Sequence, residues 1–265
     1  VPHRRAGGAA AEPAGQPADA MLRSGLKGYL LLNVEPERDL WDPAAAGRAM
    51  AEAEQVVAIT PFAGERLREQ ADILLPMGAF GETAGTFVNT EGRWQSFRGV
   101  GEPPGEARPG WRILRALGSV LGLEAFAYND IAEVYGELAG LCRDVAPSSS
   151  YPAEAGAGAA PQRGEGLCLG GGVPIYAGDP LVRRSEPLQA TPIAGRLEAA
   201  MAPETAEQLG VRDGARVRVR APAGAAELPA AVDPQVPART VWIPAALDGR
   251  AALGPPFGAV TVEAL

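Results

Sequence analysis

Three apolar runs decide the architecture: Tyr29-Leu30-Leu31-Leu32-Asn33-Val34, Val56-Val57-Ala58-Ile59-Thr60 and Ile73-Leu74-Leu75. Short runs without polar alternation suit strands covered on both faces, as in parallel sheets. Between the first two, Asp42-Pro43 supplies an N-cap followed by proline at the first helical position, and Ala44 to Glu54 is rich in helix formers. Between the second and third, Pro61 to Ala71 forms a second helix, with Leu67 and Ala71 one turn apart among charged residues. Pro76 stops the third strand. Strand, helix, strand, helix and strand within about fifty residues predict an α/β fold with a doubly wound, mostly parallel sheet.

Working outward, residues 1–25 are Ala, Gly and Pro with scattered charge and read as a disordered leader or linker. The α/β domain is expected over residues 26–145. Its later part holds a helix from Pro109 to Leu121, with Ile113, Leu114, Leu117, Val120 and Leu121 on one stripe and Gly122 past its end. A second helix runs from Asp130 to Leu141, with Ile131, Val134, Leu138 and Leu141 as its buried face. Residues 146–172 turn to Pro, Ser, Gly and Ala, end in Gly170-Gly171-Gly172, and read as a flexible linker. Over residues 173–265 the period changes to two. In Arg216-Val217-Arg218-Val219-Arg220 the valines share one face and the arginines the other. Leu228–Val232 and Thr240–Ile243 are further strands and Pro203–Leu209 a short helix, which predicts a compact β-barrel.

Composition narrows the chemistry. The 265 residues carry a formal net charge of -8 and 46% hydrophobic residues, which argues against nucleic acid or an anionic membrane as partner. No run approaches the roughly 20 apolar residues of a membrane span, so no direct membrane insertion is expected. The basic residues are 23 Arg and Lys27 alone, a skew that matches a GC-rich genome and carries no functional weight. Two cysteines, Cys142 and Cys168, and one histidine, His3, cannot furnish an iron-sulfur cluster or a Cys/His zinc site. A nucleophile–histidine pair would have to use His3, in the leader. Because the chain begins with Val1, it reads as a fragment whose upstream part is missing.

The segment Glu82-Thr83-Ala84-Gly85-Thr86-Phe87-Val88-Asn89-Thr90-Glu91-Gly92-Arg93-Trp94-Gln95 leaves the carboxyl edge of the sheet, where open α/β folds place ligands. Thr83, Thr86 and Asn89 are short polar groups, Gly85 and Gly92 permit close backbone approach, and Glu91 and Arg93 bring charge, with Arg93 able to grip an anion. That set suits a phosphate-bearing cofactor. It equally suits a β-hairpin whose turn, Asn89 to Gly92, needs glycine for a positive φ.

The Tyr29–Glu37 stretch, Ala71-Asp72-Ile73-Leu74-Leu75-Pro76 and the Glu82–Gln95 segment together resemble the molybdopterin oxidoreductase superfamily. Gly105-Glu106-Ala107-Arg108-Pro109-Gly110-Trp111 and Val173-Pro174-Ile175-Tyr176-Ala177-Gly178-Asp179-Pro180-Leu181-Val182-Arg183-Arg184 narrow it to the family of large iron-sulfur subunits, the G subunits, of bacterial NADH-quinone oxidoreductase, respiratory complex I. The resemblance runs from about Leu26 to the end. It implies a carboxy-terminal structural part, supporting electron transfer from NADH to quinone without a catalytic residue. No cofactor and no metal are then expected here, and the 4Fe-4S and 2Fe-2S clusters lie upstream. Thr83, Gly85, Thr86, Asn89, Glu91, Gly92 and Arg93 would be vestiges of a pterin loop. The implied partners are other peripheral-arm subunits of complex I, on the cytoplasmic side of the bacterial inner membrane. The alternative is a fragment of a molybdopterin-dependent oxidoreductase of formate dehydrogenase or nitrate reductase type, binding a bis-pterin guanine dinucleotide. A free-standing small-ligand module is the third reading.

Other features have two readings each. Arg216, Arg218 and Arg220 are a basic stripe for a phosphate or acidic neighbour, or a solvated strand face. Glu35, Glu37 and Asp39 are a carboxylate cluster for a cation, or solvated loop residues. Trp41, Trp94, Trp111 and Trp242 are packing anchors or interface residues. Arg183 and Arg184 are expected to hold an interdomain surface through acidic partners.

Overall fold

The computed structural model describes residues 15–144 and 166–265. In chain order the helices are α1 (Ala18–Arg23), α2 (Pro36–Asp39), α3 (Pro43–Glu52), α4 (Glu65–Gln70), α5 (Gly110–Val120), α6 (Ile131–Leu141), α7 (Glu186–Gln189) and α8 (Pro203–Leu209). The chain forms two compact units. One holds Lys27–Val34 and Glu54–Gly156; the other holds Glu35–Ala53 and Ala157–Leu265.

In the first unit, β1 (Gly28–Leu32), β2 (Gln55–Thr60) and β3 (Ile73–Pro76) form a parallel sheet in the order β1-β2-β3. The Ala-Asp-x-Leu-Leu-Pro stretch has a local physical role. Ala71 closes α4 by donating to the Leu67 carbonyl at 2.9 Å. Asp72 Oδ2 then accepts from the Val56 amide at 2.7 Å while its own amide donates to the Val56 carbonyl at 2.9 Å. One aspartate thereby sets the register of β3 on β2, and Pro76 ends the ladder opposite Thr60.

Burial corrects the expectation of strands covered on both faces. Only the central strand is well covered, through Val56, Ala58 and Ile59; Leu30 and Leu32 of β1 and Ile73 and Leu74 of β3 are exposed. The order β1-β2-β3 runs one way, so the described residues form a three-stranded parallel sheet rather than a doubly wound one. The crossover helix α3, which a βαβ unit would lay on the sheet, groups with the second unit instead. Its predicted start is present: Asp42 Oδ1 accepts from the Ala45 amide at 2.9 Å, and Pro43 follows. The helices α5 and α6 also form where expected, with Gly122 at φ 70 past the first and Asp130 capping the second through the Glu133 amide at 3.0 Å. Their faces differ from expectation. Val120, Leu121, Leu138 and Leu141 are exposed, and α6 has no fully buried residue.

In the second unit, β6 (Leu167–Gly170), β7 (Ala199–Met201), β8 (Arg216–Ala221), β9 (Gly224–Val232), β10 (Thr240–Trp242) and β11 (Gly258–Ala264) close into a barrel in the order β10-β6-β11-β8-β9-β7. The period of two is realised. Val217 and Val219 are fully buried with Met201, Val241, Ile243 and Leu228, and the arginines point outward. The helix α8 ends at Gly210 in the left-handed region, φ 66, where a side chain on Cβ is disfavoured.

The readings of residues 1–25 as a leader and 146–172 as a linker lie partly outside the described residues. Within the described parts, α1 occupies Ala18–Arg23, and Leu167–Gly170 is barrel strand β6, paired with β10 on one side and β11 on the other. Of the glycines that read as flexible, Gly171 is there for close approach: a Cβ on it would sit 2.2 Å from the Ile243 carbonyl oxygen. Composition favoured a linker because glycine serves both purposes.

Candidate functional site

The segment after β3 folds as a hairpin, β4 (Gly85–Val88) against β5 (Trp94–Phe97), in the register Gly85–Phe97 to Val88–Trp94. Asn89 organises the turn. Its backbone amide donates to the Arg93 carbonyl at 3.2 Å, and its Oδ1 accepts from the amides of Glu91 at 3.0 Å and Arg93 at 2.9 Å. Gly92, at φ 78, donates to the Asn89 carbonyl at 3.0 Å. Thr86 Oγ1 shares a hydrogen bond of 3.0 Å with Ser96 across the strands, and Thr83 Oγ1 donates to the Ala84 carbonyl at 3.3 Å. The Arg93 guanidinium is 3.5 Å from Glu91, and both are largely exposed.

Gly85, Thr86, Asn89, Glu91, Gly92 and Arg93 therefore lie on one hairpin, as the hairpin reading requires, and Thr83 immediately precedes it. The Phe97 ring covers Gly85, so a Cβ there would lie 2.9 Å from it. Phe80, Phe87 and Phe97 pack together on the hairpin, with ring centroids 5.0 to 5.6 Å apart. Trp94 meets Tyr135 of α6 edge-on at 5.5 Å, and the Arg112 guanidinium lies 5.3 Å from the Trp111 ring centre.

Of the carboxylates after β1, Glu35 and Asp39 have guanidinium partners, in the second unit. Glu35, 3% exposed, accepts from Arg184 with both oxygens, each at 2.9 Å, and from Arg183 at 3.1 Å. Arg38 adds a third positive charge 3.8 Å away. Asp39 pairs with Arg183, and its other oxygen accepts from the Glu35 amide at 2.7 Å. Burial alone would raise the Glu35 pKa, but the hydrogen bond from Arg184 and the charges of Arg184, Arg183 and Arg38 outweigh it and hold the carboxyl below its ordinary value. The acidic partners of Arg183 and Arg184 are thus Glu35 and Asp39, and all four belong to the second unit, so the pairs lie within it rather than on the expected interdomain surface. Spacing could not reveal pairs separated by 144 to 149 residues. No cluster of His, Cys, Asp and Glu suited to a metal occurs among the described residues.

The basic stripe is paired with two carboxylates of the barrel. Arg218 donates to Glu227 at 3.1 and 2.5 Å, Arg216 lies 3.9 Å from the same carboxylate, and Arg220 lies 3.6 Å from Glu263. Cross-strand register places Arg218 opposite Glu227, a pairing that alternation alone does not reveal.

Known proteins share both parts of the chain. The family described as molybdopterin oxidoreductase matches residues 6–120, and the molydopterin dinucleotide binding domain matches residues 188–263. The NADH-quinone oxidoreductase G subunit of Streptomyces coelicolor is 34% identical over 239 residues, 87% of this chain and 27% of that protein. The mitochondrial 78 kDa subunit of NADH-ubiquinone oxidoreductase of Neurospora crassa is 48% identical over 71 residues, 27% of this chain and 9% of that protein. The alpha subunit of F420-dependent formate dehydrogenase of Methanocaldococcus jannaschii is 41% identical over 69 residues, 26% of this chain and 10% of that protein. The chain therefore spans about a quarter of the length of the Streptomyces relative, and less of the other two. Among solved structures, acetylene hydratase from Pelobacter acetylenicus superposes with a TM-score of 0.62 at 18% identity, covering 92% of this chain and 46% of that one, a likeness of fold.

Proposed function

We propose that the chain belongs to the molybdopterin oxidoreductase family, on the branch of the NADH-quinone oxidoreductase G subunit, and that it is the carboxy-terminal structural part of that large iron-sulfur subunit. The carrying observation is the similarity to the Streptomyces protein along 87% of the chain, through both family domains. In this reading the chain supports electron transfer from NADH to quinone by shape and interfaces, and none of its residues carries a chemical step. The 4Fe-4S and 2Fe-2S clusters would be held by cysteines elsewhere in the full-length protein, since Cys142 and Cys168 fall short of a cluster's four thiolates. The partners would be peripheral-arm subunits of complex I on the cytoplasmic side of the bacterial inner membrane. No helix of the described residues is long and apolar enough to cross a membrane.

The hairpin's chemistry supports a packing role. A pterin needs convergent, unspent donors. Here the Thr86 hydroxyl is shared with Ser96, the Asn89 carbonyl oxygen is taken by its own turn, and Arg93 faces Glu91 in solvent. The donor set does not fit the cofactor, and we derive no step through it. The exposed apolar residues of β1, β3, α5 and α6 are consistent with a larger, doubly wound sheet built from further chain and with contacts to neighbouring subunits.

Metal analysis of the full-length protein tests the proposal. Iron without stoichiometric molybdenum is the expected result. Near-stoichiometric molybdenum would favour the formate dehydrogenase-type reading, to which the 69-residue match to the formate dehydrogenase protein points.

A further inference from the structure

Arg250 of the second unit is 2% exposed, yet no carboxylate lies within ion-pair distance of it among the described residues. Its two terminal nitrogens donate to the carbonyl oxygens of Gly254 and Pro255, the latter at 3.0 Å, and its Nε meets no acceptor. Carbonyl oxygens solvate a guanidinium but do not neutralise it. A buried cation without a counter-charge is costly. Desolvation accordingly lowers its pKa from the usual arginine value.

Arg250 is among the residues lining a cavity of about 400 Å³ formed wholly within the second unit, a size suited to a small organic ligand. Trp41 and Phe257 form a stacked pair on the same lining, 5.8 Å apart and inclined by 27°, and remain 59% and 55% exposed. Ala246, also on the lining, is held at φ 59, a conformation that alanine adopts only where its surroundings enforce it. The other lining charges are Arg38, committed to Asp248 and Glu35; Asp39, committed to Arg183; and the half-buried Glu37. Glu37 and Asp39 oppose negative charge on a ligand, and a second negative charge doubly so. That disfavours phosphates relative to a single carboxylate, which an arginine can receive in bidentate geometry.

We propose that this cavity binds a small monocarboxylate with a planar apolar body, its carboxylate on Arg250 and its ring along Trp41 and Phe257. The site is separate from the hairpin and does not depend on the structural role proposed for the chain. Chemically it takes benzoate-like anions and rejects inorganic phosphate.

The test titrates the 265-residue chain with sodium benzoate at constant ionic strength, reading tryptophan fluorescence and thermal shift. Benzamide tests the ring without charge, and inorganic phosphate tests charge without a ring. The expected result is a saturable response to benzoate, with benzamide and phosphate at least tenfold weaker. Arg250→Gln should weaken benzoate at least tenfold. Where that variant fails to fold, Glu37→Gln decides: it should strengthen benzoate several-fold and phosphate by more. Trp41→Leu should remove most of the fluorescence response and weaken binding read by thermal shift. No saturable response to benzoate by the folded chain, equal binding of benzamide or phosphate, or affinities unchanged by Glu37→Gln would each overturn the proposal.

Discussion

Glu35 receives both arms of Arg184, Oε1 and Oε2 each at 2.9 Å, across 149 residues of chain. With Arg183 beside it and only 3% exposure, this carboxylate ties the loop after β1 to the segment preceding α7. Replacing one member of a buried pair strands the other charges, which is worse than removing all of them. Glu35→Ala is expected to cost about 3 kcal/mol or more, measured by denaturant unfolding. A loss of a few tenths would show that the arginines find other partners.

The same group gives a pH dependence. Its folded-state pKa is lowered, so its stabilisation is present above the ordinary carboxylate value and is lost as pH falls through the lower folded-state value. The stability gap between the native chain and Glu35→Gln should be full at pH 7 and close in acid. A gap unchanged down to pH 2 would contradict the assignment.

Gly92 sits at φ 78 in the hairpin turn. A β-branched residue is strained there, so Gly92→Val should destabilise by about 1–2 kcal/mol, while Gly92→Asn should be better tolerated. Equal melting of the two variants would count against the turn.

Gly171→Ala tests the close approach in the barrel. The added methyl would lie 2.2 Å from the Ile243 carbonyl oxygen, a backbone atom held by the Ile243 amide bond to Gly170 at 2.8 Å. Overpacking against the backbone should cost about 2 kcal/mol or more in thermal unfolding. An unaffected melt would mean that the strand end can move freely.

Glu227→Ala should behave differently. Its pairs with Arg218 and Arg216 lie on the outer barrel face, where solvent screens the attraction. The melting temperature is expected to be unchanged within error, and a marked loss would assign the stripe a structural role.

Local chemistry made much of this molecule readable in one dimension. Apolar runs announced β1, β2 and β3, alternation announced β8, and Asp42, Asp130 and Gly122 marked helix ends, because strand burial and capping depend on neighbours a few residues away. The hairpin turn was legible for the same reason: Asn89 and Gly92 satisfy one another within four residues. The short strand β7 carried no comparable signal; Ala199–Met201 becomes a strand through pairing with barrel neighbours.

Sequence by itself therefore determined the order of the elements, the hairpin, the valine face of the barrel and the resemblance to a family. Tertiary structure alone decided which charges meet and which glycines are crowded. Arg184 reaches Glu35, Arg218 finds Glu227, Arg250 is buried with its Nε unbonded among the described residues, and Gly171 abuts Ile243. Those outcomes depend on distances between segments far apart along the chain, and electrostatic pairing and steric contact act through space.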